Sequence, residues 1–390
     1  MAETRKASRF IVPVAVAGVA AATIGLVPAL AASGDPDLPE ITAQQLIEKI
    51  AASDTQTLSG TFKISTDLGL PALGGLASGL GGLGGDGAGT GSADPSEKLT
   101  ELVSGTHTLR VAADGPERQK LTLLDGSDEY SLIHNGGDVW AYDSKSNEVF
   151  HERGASGGAP EKDERLPGTP KELADEVLKA AGDTTSITVD GTAKVAGRDA
   201  YQLVIKPKQT GSTVESVKIA VDAANGTPLK FTLSSVEGGK PVVDAGFTKV
   251  DFAKPAASDF AFEAPKGAKV TEGAAEKAAD EEKLPEGFEE GFPGLGKGFG
   301  FGSGEGVNVI GEGWTTIAKL DTGAPAPKTD EAPKEIQGFL DSLGDKVTGT
   351  FGSGTVFKTK LVNALLTDDG KVYVGAVTKD ALVDAANAGK

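Results

Sequence analysis

The chain has 390 residues, a formal net charge of −18, 54 glycines and no cysteine. Without cysteine, disulfides, thiolate metal sites and a lipid-modified N-terminal cysteine are excluded. The negative balance argues against nucleic acid as a partner, and against adhesion to anionic lipid by charge alone.

Arg5, Lys6 and Arg9 precede an uncharged run from Phe10 to Ala32 that holds Pro28 and the triplet Ala29-Leu30-Ala31. A basic start, an apolar middle and small residues at a cleavage point make an export signal, so residues 1–31 read as a signal peptide and the protein as exported to the cell envelope. The run is also close to the roughly 20 residues that span a bilayer. An uncleaved N-terminal anchor is the alternative.

Thr42 with Gln45 three residues on has the form of a capping box, and Leu46, Ile47 and Ile50 share the face of the helix it opens. Alternation from Thr57 to Ile64 predicts a strand. Residues 69–97 are low in complexity, with Leu73, Leu76, Leu80 and Leu83 among many glycines. The leucine spacing is helical, but each glycine costs about 1 kcal/mol in a helix interior. The segment therefore reads as a flexible apolar insertion, either a flap over a cavity mouth or a plain low-complexity loop.

From Thr106 to His151, short alternating runs are separated by turn signals, of which Asn135-Gly136-Gly137 is the strongest. Pro170 to Ala181 reads as a helix with Leu173, Val177 and Leu178 inward. A second meander fills Thr185 to Phe252, and short turns imply antiparallel order. Residues 271–303 form an acidic, then Gly/Phe-rich linker. The remainder, 304–390, reads as a small unit: strands at Val307–Ile310, Trp314–Leu320, Val347–Phe351, Val356–Leu366 and Lys371–Val377, helices at Glu335–Leu343 and after Thr378.

Few residues suggest chemistry. Gly291 to Lys297 has the spacing of a phosphate-binding loop, but Gly298 follows where a magnesium-binding hydroxyl is needed. His107, His134 and His151 show no metal-ligand spacing, and no Gly-x-Ser-x-Gly elbow offers a nucleophile. No metal, cofactor or catalytic residue is expected.

The order of elements carries a resemblance. A helix precedes Leu58-Ser59-Gly60-Thr61-Phe62. A meander then contains Asn135-Gly136-Gly137-Asp138-Val139-Trp140-Ala141-Tyr142-Asp143, and Pro228-Leu229-Lys230-Phe231 and the closing run Phe260 to Ala268 follow. This resembles the LolA-like lipoprotein-carrier family, with its anti-sigma-binding sensor branch and its actinobacterial lipid-carrier branch, over residues 38–270. The double proline frequent at the family's close is absent, since Ala264 precedes Pro265. The resemblance implies an α+β fold: a strongly curved antiparallel sheet, an incomplete β-barrel lidded by helices, followed here by the small C-terminal α+β unit. It also implies a cavity for acyl chains of a lipid or lipoprotein. Candidate lining residues are Phe62, Leu109, Val111, Leu132, Trp140, Tyr142, Tyr201, Leu203, Phe231 and Phe247, with ordinary core as the competing reading. The expected function is non-enzymatic, as a lipid carrier or sensor. The alternatives are a regulator that grips a membrane protein partner, such as an anti-sigma factor, through the C-terminal unit, and more weakly a secreted hydrolase.

Overall fold

The computed structural model describes residues 36–69, 93, 98, 105–153, 175, 178–179, 181–273, 307–321 and 344–389. The expected export segment, the insertion leucines 73, 76, 80 and 83, most of the 170–181 helix, the linker beyond residue 273, the phosphate-loop-like run and the 335–343 helix lie outside these residues; the expected linker's first two residues, 271 and 272, belong to a strand.

Helix α1 (Ala43–Ala51) starts as its sequence dictates. The Thr42 side chain accepts from the Gln45 N–H at 3.2 Å and the Gln45 side chain accepts from the Thr42 N–H at 2.9 Å. This box satisfies two of the helix's orphan donors. Thr42→Ala should cost about 1 kcal/mol of unfolding free energy, read from a denaturant titration.

Twelve strands form one curved sheet that does not close. In chain order they are β1 (Thr57–Thr66), β2 (Gly105–Asp114), β3 (Arg118–Asp125), β4 (Asp128–Asn135), β5 (Asp138–Asp143), β6 (Glu148–Arg153), β7 (Thr185–Val195), β8 (Arg198–Pro207), β9 (Val214–Asp222), β10 (Pro228–Ser235), β11 (Val243–Asp251) and β12 (Lys269–Glu272). Their spatial order is β12-β6-β5-β4-β3-β2-β1-β11-β10-β9-β8-β7. Two meanders, β2–β6 and β7–β11, are thus joined by β1, which pairs antiparallel with β2 on one side and β11 on the other. One pair departs from antiparallel order: β12 runs parallel to β6, and Lys269 faces Glu148. Four residues after a long crossover are too short to show in the sequence as a strand.

A second sheet of six strands follows, ordered β13-β14-β18-β17-β16-β15. These are β13 (Val307–Ile310), β14 (Ile317–Asp321), β15 (Gly344–Gly349), β16 (Gly352–Phe357), β17 (Asn363–Thr367) and β18 (Lys371–Gly375). Helix α2 (Lys379–Ala388) packs Leu382 into its core, capped by the Thr378 side chain as expected. Two expected strands are corrected. Trp314 lies in a 3-10 turn ahead of β14. The 356–366 run is broken into β16 and β17 because the Thr359 hydroxyl accepts from the Leu361 and Val362 N–H groups, while the Asn363 side chain accepts from the Thr359 N–H. Such hydroxyl and amide turns compete with the ladder for the same backbone donors.

The two sheets are bonded directly. The Thr213 N–H donates to Ala376 O at 2.9 Å, and the Thr378 N–H to Gly211 O at 2.7 Å. The Lys360 N–H donates to Leu68 O at 2.8 Å and its ammonium pairs with Asp67 at 2.6 Å, which holds the Asp67 carboxyl below the usual carboxylate range. Trp314 Nε1 donates to the Thr185 hydroxyl at 2.7 Å. Val214, Leu233, Val242 and Leu361 form the apolar centre of this junction.

Candidate functional site: one apolar face of the large sheet

Strand alternation divides the side chains of the large sheet between two faces. Following partners strand by strand, Phe62 lies opposite Leu109 and Phe247, Leu109 opposite Leu123, and Leu123 opposite Tyr130. On the other side Ala245 lies opposite Phe231, Phe231 opposite Ile219, and Ile219 opposite Leu203, with Tyr201 two residues along. Eight of the ten sequence candidates therefore share one face: Phe62, Leu109, Val111, Leu132, Tyr201, Leu203, Phe231 and Phe247.

Trp140 and Tyr142 occupy the opposite face. Leu132 pairs with Ala141, which sets Trp140 opposite Ile133 and Tyr142 opposite Ser131. There they pack against Phe262, at 5.4 and 5.8 Å between ring centroids, beneath the segment that buries Phe260. The sequence held the means to separate them. A two-residue turn at Gly136-Gly137 places Asn135 opposite Asp138, and counting back puts Trp140 on the face of Ile133.

The shared face has two adjoining rows. Phe62, Leu109 and Leu123 are buried, with Phe62 and Phe247 in edge-to-face contact at 5.0 Å. Beside them runs a second row, Val111, Leu121, Leu132, Ala141 and Phe150, each directly opposite the next. All but Ala141 are only partly buried and pack on the buried core. Spanning five strands, this row is about 19 Å long at the usual strand spacing. Leu121 and Phe150 complete it and were missing from the sequence-based set. Helix α1 covers another part of the face, laying Leu46 and Ile47 on Tyr201, Leu203 and Val221.

Polar groups border the face. The Tyr130 hydroxyl donates to Ala93 O at 3.1 Å, and Lys98 pairs with Asp143 at 3.1 Å, so one residue of the 69–97 insertion and the lysine that follows it touch this border. His134 lies two positions beyond Leu132, and its Nε2 is buried without a hydrogen-bond partner among the described residues. His107 pairs across from Ile64 on the same face. His151 is on the other face, stacked on Trp140 at 3.5 Å, with Asp138 at 2.9 Å from Nε2 and Glu272 at 3.0 Å from Nδ1. The His151 hydrogen bond keeps the Asp138 carboxyl below its ordinary range. These contacts tie β12 to β6. No group of metal-ligating side chains occurs among the described residues, and no helix among them is long and apolar enough to cross a membrane.

No protein-family model and no curated protein matches the sequence. Solved structures do resemble it. The MucA/MucB complex from Pseudomonas aeruginosa is 16% identical, with 88% of this chain and 96% of that chain covered at a TM-score of 0.38. A LolA superfamily protein from Nitrosomonas europaea is 12% identical, covering 57% of this chain and 99% of that one at 0.21. A putative outer membrane lipoprotein-sorting domain from Vibrio parahaemolyticus is 11% identical, covering 55% and 92% at 0.20. The likeness is distant and concerns the fold.

Proposed function

We propose that this is an exported, non-enzymatic envelope protein that holds the acyl chain of a lipid or lipoprotein against the apolar face of its large sheet, as a carrier or lipid sensor. The observation that carries this reading is the half-buried row Val111-Leu121-Leu132-Phe150 lying directly on a buried core. A ligand chain along that row trades water for hydrocarbon at about 0.8 kcal/mol per methylene, with no reacting group required. The test is native mass spectrometry and organic extraction of protein purified from its native host, with Leu121→Asp and Leu132→Asp beside it. The parent should retain a lipid of defined mass, and each variant should retain at least about tenfold less, since a carboxylate on the row must be desolvated. A parent that stays empty after incubation with envelope lipids, or variants that load equally, would end this reading.

A second reading, a regulator gripping a membrane protein through the C-terminal sheet, draws on β13 and β15. Each pairs on one side only among the described residues, leaving backbone donors and acceptors that can add an extended peptide.

A further inference from the structure

The face opposite the apolar rows carries a concentration of positive charge that the net charge conceals. Lys63 lies across Gly246 from Lys230, and Lys249 lies opposite Thr61, whose other neighbour is Arg110. Lys120 is on the same face one strand further, opposite Ala112. The five side chains come from the adjacent strands β10, β11, β1, β2 and β3, a width of about 19 Å. Lys218 on β9, opposite Thr232, extends the patch. Lys230 is paired with Asp244 at 2.8 Å. Lys63, Arg110, Lys120, Lys218 and Lys249 form no ion pair or side-chain hydrogen bond among the described residues. Among the acids of these strands, Asp251, opposite Ser59, and Glu129, at the far side, are left outside ion pairs on this face, and the segment packed over β3 and β4 adds Asp259, which accepts from the Ala256 N–H.

The chain has 56 acidic and 38 basic residues, so unpaired bases clustered on neighbouring strands are not a by-product of composition. Like charges gathered on one sheet face repel. At the centre their neighbours are Thr61, Thr108, Thr232 and Ser65; the aliphatic residues opposite the outer bases, Ile133 across from Lys120 and Val204 across from Lys218, are buried, and Leu124, across from Thr108, is partly buried. The large exposed apolar residues of the described chain, Val236 and Val270, lie outside the patch. A protein partner is normally anchored by buried aromatic or aliphatic residues at the centre of its interface. A broad, polar, basic surface without them fits an extended layer of negative headgroups.

We propose that this basic face docks on an anionic lipid bilayer, leaving the apolar face turned away from the headgroups. The overall charge predicts repulsion, but at physiological salt a charge is felt over only about 8 Å. A membrane touching this face therefore senses Lys63, Arg110, Lys120, Lys218 and Lys249 and little of the acidic remainder. The proposal is independent of what the apolar face holds.

The test is flotation of the full chain with phosphatidylglycerol/phosphatidylcholine vesicles, against pure phosphatidylcholine, at low and high salt. The triple variant Lys63→Glu, Arg110→Glu, Lys249→Glu is compared with Lys145→Glu, Lys208→Glu, Lys266→Glu, which changes the net charge equally at exposed sites elsewhere. Both retain the N-terminal segment, so any binding through it is common to them, and circular dichroism checks their folding. The first triple should lose at least about tenfold in phosphatidylglycerol-dependent, salt-sensitive binding, and the second should stay within about twofold of the parent. If neither triple changes binding, or both lose it equally, or the parent shows no preference for phosphatidylglycerol, the proposal fails. Capture of polyglutamate but not vesicles by the parent would also overturn it, and would assign the face to an acidic protein.

Discussion

Phe62→Ala should lower the unfolding free energy by about 3–5 kcal/mol, the range for deleting a buried aromatic ring. Phe62 is 1% exposed. It sits in the central strand of the large sheet, in register with Leu109 on one side and Phe247 on the other. Its edge-to-face contact with Phe247 adds to the loss. The site has little room to collapse. Two residues before, at Gly60, an added Cβ would stand 2.4 Å from Lys249 O and 3.0 Å from the Phe247 ring, so the backbones there are already in contact. Urea denaturation followed by circular dichroism gives the value. A loss under about 1.5 kcal/mol would mean that the ring is not central to the core.

Asp222→Ala should cost about 3 kcal/mol near neutral pH, at the low end for breaking a buried ion pair because Arg198 keeps 34% of its side chain in water. The Asp222 carboxylate ends β9, where it pairs with Arg198 and accepts from the N–H groups of Ala224 and Asn225. Burial pushes its pKa up, but the guanidinium and the two backbone donors more than offset this and hold it below the usual carboxylate range. A folded-state pKa below the unfolded one gives stability that is present above the unfolded value, about 3.9, and is lost as pH falls through the folded value. The gap between parent and variant should thus be full at pH 6 and narrow below about pH 4. The same turn also abuts the end of α1: Gly226, at φ +76°, is placed so that an added Cβ would be 2.3 Å from Lys49 O. A gap constant with pH would show that Asp222 acts through packing alone.

The sequence makes parts of this architecture readable because short-range physics determines them. The Thr42 box, the Thr378 cap and the alternation of β1 through β11 each depend on residues within a few positions. The curved antiparallel sheet follows from two meanders with short turns. The placement of Trp140 and Tyr142 depends on register, which a spacing of two leaves undecided between faces. The break between β16 and β17 turned on Thr359, whose hydroxyl can serve a strand or a turn equally well in sequence. The parallel β12 needed a contact between residues 148 and 269 that no local pattern encodes. On the apolar face, Leu121 and Phe150 belong to the half-buried row by cross-strand pairing, while their own strands give no reason to choose them over Leu123 or Val149.

The position of β1 bears on how the chain reaches its folded state. Its partners on one side come from β11, with Ser59 matched to Asp251. A chain delivered N-terminus first would therefore present this strand, with Leu58, Phe62 and Ile64, long before its second neighbour arrives. Pairings so distant in sequence are slow to form, and an exposed apolar strand invites association with other chains in the interval. Assembly of the large sheet is thus a late event, completed once most of the polypeptide is available. A chain truncated ahead of residue 243 would leave β1 with an unsatisfied edge and its aromatic core open to solvent.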